Sequence, residues 1–398
     1  MTFSIFGLTG SWYGLTVGVS ALCFLCLAGV LGYKRGLPAG TIRLFGLIAL
    51  PLGLIGSRLV FCAANFAYFT EEISQPLKML CFWDGGYSMV GAMGGMIAAA
   101  WITSRLAKVR FATLFDVTAC ALPLFVIGAR IAEGFTGALG VGRQVDVGTL
   151  AQTAPWLFLQ ETLGTLTLYR LAVYRYEAVV AALLLAVTLA LFFSQKTQKR
   201  ARKGDLGMLA FAMYGACQVV LESLRDDGHL LLGFIRVSQL ACALMPVLAL
   251  IVFGARYAHI RRARPTVAVA WLLLPVAAVV ALMMLVPINH VLDLTGKRAV
   301  GFAVLAAIGL YWAFFLRKQG ADLRLILTWL LVLLCVAGCV MVEFSIDGSS
   351  NLLRDYAIMA LCALGVFLAP CTLWHTLAAR VYREETIHMT KDVGKRLL

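Results

Sequence analysis

Apolar runs of bilayer length recur along this chain, and no other feature limits its fold so tightly. About eleven of them, each ~18–25 residues long, match the thickness of a hydrocarbon core. They lie near 12–32, 42–65, 88–106, 113–135, 173–194, 206–224, 232–255, 267–287, 299–316, 324–344 and 356–378. A backbone inside lipid must satisfy its own hydrogen bonds, so each run reads as a helix. The expected class is all-α, a polytopic integral membrane protein. Charged residues make up only 14% of the chain, where soluble domains carry about 25%. Met1-Thr2-Phe3 lacks a basic n-region, and the first run is long enough to stay as a span, so no cleaved signal peptide is expected.

The formal charge of +14 sits in alternate loops. Lys34 and Arg35 follow the first run, Arg105, Lys108 and Arg110 the third, and Lys196, Lys199, Arg200, Arg202 and Lys203 the fifth. Arg256, Arg261, Arg262 and Arg264 follow the seventh, Arg317, Lys318 and Arg324 the ninth, and the tail is basic again. The positive-inside bias makes these loops cytoplasmic, with the N-terminus outside and the C-terminus in the cytoplasm. That pattern explains the charge without a nucleic-acid partner. The 11 cysteines lie almost all in apolar runs and read as small buried hydrophobes, neither a disulfide framework nor a metal site. No motif calls for a metal or any other cofactor.

The remaining polar residues collect on the outer side, in 66–87, in the long piece 136–172, which suggests an interfacial or re-entrant lid, and in 225–231. Ionisable residues embedded near spans (Arg58, Arg130, Glu133, Glu177 and Glu222) all precede residue 257. The later spans are nearly free of them. Residues 1–256 therefore read as a functional seven-span domain, and 257–398 as an appended four-span region with a cytoplasmic tail.

Two stretches stand out. In Trp83-Asp84-Gly85-Gly86-Tyr87-Ser88-Met89-Val90-Gly91-Ala92-Met93-Gly94-Gly95, five glycines work against helix stability, each by up to ~1 kcal/mol relative to Ala. Gly85-Gly86 permits a tight turn, and Gly91, Gly94 and Gly95 bare one flank to a helix or a lipid chain. Gly128-Ala129-Arg130-Ile131-Ala132-Glu133-Gly134 puts an Arg and a Glu at the end of an apolar helix, where ionisable residues are costly and usually functional. Glu177 opens the fifth span, Glu222 and Arg225 stand at i and i+3 at the end of the sixth, and Ser238-Gln239 opens the seventh. Arginines at this depth suit a phospholipid phosphate, which a guanidinium binds bidentately. The plainer alternative is that the Arg and Glu side chains neutralise each other and only lock helices together.

Taken in order, these residues resemble the prolipoprotein diacylglyceryl transferases. The likeness is carried by Trp12-Tyr13-Gly14-Leu15, Gly56-Ser57-Arg58-Leu59, Trp83-Asp84-Gly85-Gly86-Tyr87-Ser88-Met89, Ala129-Arg130-Ile131, Tyr176-Glu177, Tyr214-Gly215-Ala216, Glu222-Ser223-Leu224-Arg225 and Ser238-Gln239. It covers about residues 10–255. It implies transfer of diacylglycerol from phosphatidylglycerol to the lipobox cysteine of a prolipoprotein, at the outer leaflet of the bacterial cytoplasmic (inner) membrane, with release of glycerol phosphate. The catalytic residues would be Arg130, Arg225, Glu133, Glu177 and Glu222. Arg58, Trp83, Asp84, Gly85, Gly86, Ser88, Tyr176 and Gln239 would bind substrate.

The chain also departs from the family. Val90 stands where the family has a His, Gln218 where it has an Arg, and Glu133 where it has an Asn. A replacement base for the acceptor thiol would be His229 or Glu133. A salt bridge to Arg130 would instead take Glu133 out of that role. The alternative function is a catalytically impaired phospholipid-binding or assembly protein that keeps the lipid pocket.

Overall fold

The computed structural model describes residues 2–260 except 6–7, 67–68, 71–74, 82–85, 138, 145–153, 164–165, 227–230 and 233–234; beyond 260 it describes 370–371, 373–375 and 377–378. The expected spans at 267–287, 299–316 and 324–344 lie outside the described residues, as does most of 356–378. The chain divides into two compact units. One comprises Met1–Gln195, Arg202–Ala210 and Leu224–Ala241, the other Lys196–Ala201, Phe211–Ser223 and Cys242–Leu398.

Each of the seven apolar runs before residue 257 contains a helix. Helices α1 (Trp12–Lys34), α2 (Thr41–Ala64), α3 (Met89–Leu106), α4 (Phe111–Glu133) and α5 (Val173–Phe193) belong to the first unit. A short α6 (Gln195–Arg200) leads to α7 (Asp205–Leu224), and α8 (Val237–Ile260) ends the described bundle. Among the described residues, five helices are long and apolar enough to cross a membrane: Trp12–Lys34, Thr41–Ala63, Phe111–Glu133, Val173–Phe193 and Asp205–Glu222. Leu22, Leu47 and Leu183 on these helices are exposed, which suits a lipid-facing surface.

The all-α expectation needs a correction. Three antiparallel two-stranded sheets join the helices: β1 (Thr2–Ile5) with β2 (Leu8–Ser11), β3 (Phe158–Leu163) with β4 (Leu166–Leu171), and β5 (Leu231–Leu232) with β6 (Ile235–Arg236). The β3–β4 hairpin occupies the segment expected to form a lid. The first two sheets lie outside the bilayer-length runs and the third at the start of the run expected at 232–255; pairing with a neighbouring strand is the other way to satisfy backbone groups. The protein is mostly helical, with small sheets between its helices.

Within the first unit, α2 lies on α3, α1 on α4 and α4 on α5. The α2–α3 crossing is a contact of backbone on backbone. A Cβ on Gly56 would come 2.6 Å from the Gly91 carbonyl oxygen, and one on Gly95 would meet Leu52 and lie 2.9 Å from the Gly53 Cα. Gly94 faces open space. Two of the three flank glycines thus serve helix approach and the third does not.

Where α4 begins, the buried Asp116 fixes the start of α7. Its carboxylate accepts from the Gly204 and Gly207 backbone N–H groups, both at 2.7 Å. These are donors that a helix leaves unsatisfied in its first turn. A carboxylate suits them, because it also complements the positive end of the helix dipole.

Within the second unit, Gly215 allows α7 and α8 to meet. A Cβ there would lie 2.6 Å from the Met245 Cβ.

Candidate functional site

Four charged side chains converge in the first unit, at one end of its helices. The C-terminal turn of α4 supplies Arg130 and Glu133, one turn apart on the same face. The N-terminal part of α5 supplies Glu177. Arg225 comes from just beyond α7, which stops at Leu224. Arg225 therefore lies one residue past the helix on which its i, i+3 spacing from Glu222 placed it. Arg225 has left the helix and bridges Gly142 in β-fashion.

A short extended strap, residues 140–144, brings these pieces together. Gly142 N–H donates to the Leu171 carbonyl at 2.8 Å, and Leu171 N–H returns a bond to Arg143 at 3.2 Å. On its other side, Arg143 N–H donates to Leu224 at 3.2 Å and Asp226 N–H to Val141 at 3.0 Å. Tyr174 N–H, in the first turn of α5, donates to Gly140 at 3.1 Å. The strap thus ties the start of α5 to the residues after α7.

Only glycine fits two of the strap positions. Gly140 has φ +70° and its missing Cβ would lie 2.5 Å from Glu133 Oε2. A Cβ on Gly142 would lie 2.7 Å from the Leu224 carbonyl. No periodicity in the sequence marks this strap. The signal was Gly137, Gly140 and Gly142 closely spaced in a stretch too short and too polar to span.

The four side chains form a closed ring of alternating charge. Arg130 Nη1 donates to Glu133 Oε1, and Arg130 Nε pairs with Glu177 Oε2 at 2.7 Å. Arg225 Nη2 donates to Glu133 Oε2 at 3.0 Å, and Arg225 Nη1 reaches both Glu177 oxygens at 3.0 and 3.1 Å. Each guanidinium therefore bridges both carboxylates. Relative exposures of 7% for Arg130, 9% for Glu133 and 2% for Glu177 and Arg225 place the ring away from water. Desolvating four charges is expensive, and the cost is offset only because each ion meets two counter-ions in hydrogen-bonding geometry.

The other expected site residues are placed as follows. Glu222 is buried on α7, in the second unit, and accepts from Gln218 Nε2 at 3.5 Å. Tyr176 directs its hydroxyl to the Leu157 carbonyl, and its ring meets Trp156 edge-on at 6.4 Å. With Arg175 Nη1, which donates to the Trp156 carbonyl at 2.8 Å, it fastens the root of the β3–β4 hairpin to α5. Ser88 stands at the N-cap position of α3 without a side-chain capping bond, and its N–H donates to the Ser57 carbonyl at 3.1 Å. Val90 falls in the first turn of α3 and Gln239 in the first turn of α8. Trp83, Asp84, Gly85 and His229 lie outside the described residues. Trp12, at the start of α1, has its ring 6.4 Å from that of Phe135, just past the end of α4.

Arg58 is buried on α2 and engages carbonyl oxygens. Nε donates to Met79 at 3.1 Å, Nη2 to Lys78 at 2.8 Å and Nη1 to Gly86 at 3.2 Å. Its guanidinium lies 5.8 Å from the Phe61 ring centroid and 5.7 Å from that of Phe69. These bonds hold both ends of the segment that carries Trp83-Asp84-Gly85. Gly86, at φ +73°, has no room for a Cβ beside the Phe61 ring. Arg58→Lys should loosen this segment, since one ammonium cannot reproduce a planar fork. The expected cost is about 1.5–3 kcal/mol, the scale of hydrogen bonds to a charged group. Hydrogen exchange over residues 78–86 would read it as faster exchange; unchanged protection would remove the anchoring role.

Among the described residues, no group of His, Cys, Asp and Glu is arranged to hold a metal ion.

Residues 1–255 match the prolipoprotein diacylglyceryl transferase family. The chain belongs to the prolipoprotein diacylglyceryl transferase family. It is 28% identical over 246 residues to the phosphatidylglycerol–prolipoprotein diacylglyceryl transferase of Symbiobacterium thermophilum, covering 61% of this chain and 87% of that one. Identity to the enzyme of that name from Acaryochloris marina is 30% over 237 residues, 57% of this chain and 80% of the other. For the one from Lactococcus lactis subsp. cremoris it is 25% over 244 residues, 61% and 88%. All four ring residues fall inside the family match, and so do α1 to α7.

Proposed function

We propose that this member of the diacylglyceryl transferase family transfers diacylglycerol from phosphatidylglycerol to the lipobox cysteine of a prolipoprotein, as a thioether, releasing glycerol phosphate. The observation that carries the reading is the buried ring of Arg130, Glu133, Glu177 and Arg225 at the end of apolar helices, within the family match. Guanidinium groups there are suited to a phosphodiester and to the charge that gathers on phosphate as the C–O bond breaks. Relatives named for this reaction support the same substrates. Arg130, Arg225, Glu133, Glu177 and Glu222 are our candidates for catalysis. Arg58, Trp83, Asp84, Gly85, Gly86, Ser88, Tyr176 and Gln239 are candidates for shaping or contacting the substrate site.

The setting we propose is the bacterial cytoplasmic membrane, with eleven spans, the N-terminus outside and the ring at the outer leaflet. The alternation of basic loops supports this orientation. Residues 257–398 form an appended four-span region in this reading.

The test is complementation of a strain lacking its own transferase, with lipoprotein mass as readout. Diacylglyceryl-modified lipoprotein is expected. A well-expressed protein that yields none would sink the transferase reading.

One observation favours a second reading, a lipid-binding protein without the chemistry. Val90 stands where the resemblance places a His, and valine cannot take a thiol proton. A general base contributes ~10²–10⁴-fold. If that loss is uncompensated, wild type should bind phosphatidylglycerol yet transfer little, and Val90→His should raise transfer.

A further inference from the structure

The ring contains two guanidiniums and two carboxylates, so it carries no net charge. An anionic headgroup gains little from a neutral ring unless one carboxylate gives way. The two carboxylates are held differently. Glu177 lies near the N-terminus of α5, where the helix dipole supports a negative charge. Its side chain is 1% exposed, and it takes Arg130 Nε and Arg225 Nη1. Glu133 is the last residue of α4, where the dipole opposes a negative charge. Its side chain is 11% exposed, the most open of the four, and it takes the guanidinium tips Arg130 Nη1 and Arg225 Nη2. Those two tips come from different elements and converge on one carboxylate. A phosphodiester, whose one negative charge is shared by two non-bridging oxygens, can bridge the same pair.

We propose that the phosphatidylglycerol phosphate enters the ring by exchanging with Glu133, and that the Glu133 carboxylate so released takes the proton of the acceptor thiol. The inference rests on the transferase reading for its second half. Exchange also reconciles the two roles that sequence alone leaves open for Glu133, salt-bridge partner and base, by assigning them to successive states. In the reaction the thiol S–H proton passes to Glu133. The sulfur forms a bond to the glyceryl carbon of the diacylglycerol unit, and the C–O bond of that carbon to phosphate breaks. The bonding pair leaves on the phosphate oxygen, which Arg130 and Arg225 now hold, and glycerol phosphate departs. The proton on Glu133 is then lost to the leaving phosphate or to water, and the carboxylate returns to the guanidiniums.

The test compares full-length wild type, Glu133→Gln and Glu133→Asp in nanodiscs. It measures binding of phosphatidylglycerol, binding of phosphate-free diacylglycerol, and transfer to a lipobox peptide. Glu133→Gln leaves the ring with a net positive charge. It should bind phosphatidylglycerol roughly tenfold more tightly, the scale of one partly buried charge, with no change for diacylglycerol. Its transfer should fall ~10²–10⁴-fold, as for loss of a general base. Glu133→Asp is too short to span both guanidiniums and should tighten phosphatidylglycerol binding by less, which keeps the test decisive if Glu133→Gln fails to fold. Unchanged or weaker phosphatidylglycerol binding in the folded variants would overturn the exchange, and so would an equal gain for diacylglycerol. Full transfer by Glu133→Gln would overturn the base. Tighter binding by Glu133→Gln alongside an inactive wild type would uphold the exchange and remove the transferase reading instead.

Discussion

Glu177→Ala should destabilise the protein by about 3–5 kcal/mol, the cost of leaving buried charge uncompensated. Glu177 touches both Arg130 and Arg225, and its removal takes from each of those guanidiniums one of the two carboxylates of the ring. Arg130 would lose its 2.7 Å contact and Arg225 its bifurcated one. Water cannot easily replace these bonds where exposure is 7% and 2%. Unfolding in mixed micelles would measure the loss. The double variant Arg130→Met with Glu177→Met should cost less than Glu177→Ala alone, because it removes one charge of each sign and fills the space with apolar atoms. A loss below about 1 kcal/mol for Glu177→Ala, the range of surface ion pairs, would mean that the ring does not hold α4, α5 and the strap together.

The second large effect is expected at Gly91. A Cβ there would run into the Gly56 carbonyl oxygen and lie 2.7 Å from the Gly56 carbonyl carbon and 2.8 Å from the Ser57 Cα. All three are backbone atoms and cannot rotate aside. Gly91→Val must push α3 off α2 and break the 3.1 Å bond from Ser88 N–H to the Ser57 carbonyl. Overpacking of this kind costs about 1–3 kcal/mol, sometimes more. Gly94→Ala is the contrast, three residues along the same helix and facing open space. It should be neutral or stabilising by up to ~1 kcal/mol, as Ala is the better helix former. Equal losses at the two positions, read by the same unfolding measurement, would remove the close α2–α3 approach.

Helix positions were legible to within a few residues. The run expected at 113–135 is α4 at Phe111–Glu133, and that at 173–194 is α5 at Val173–Phe193. Hydrocarbon thickness sets their length, so hydropathy alone locates them. The small sheets were not legible, because strands of two to six residues leave little period-2 signal. Arg130 with Glu133 could be read from spacing, being one turn apart on one helix. Their partners Glu177 and Arg225 could be read as polar residues at the same depth, but not as partners. That pairing depends on the strap at 140–144, whose glycines act through close backbone approach rather than through periodicity. Glu222-Ser223-Leu224-Arg225 continues a helical pattern, which predicts Arg225 on a helix face. The structure ends that helix one residue earlier and turns the guanidinium toward Glu133 and Glu177.

A phosphate-handling Arg–Glu ring that serves thiol alkylation has a direct readout in intact mass. Purified full-length protein in phosphatidylglycerol nanodiscs is given a lipobox peptide, and the peptide is weighed. The expected product is a peptide carrying one diacylglyceryl group on its cysteine, formed by wild type and largely lost in Arg130→Lys, because a point charge cannot reproduce the bidentate fork. An unmodified peptide with well-folded wild type, or an adduct formed as fast by Arg130→Lys as by wild type, would contradict it.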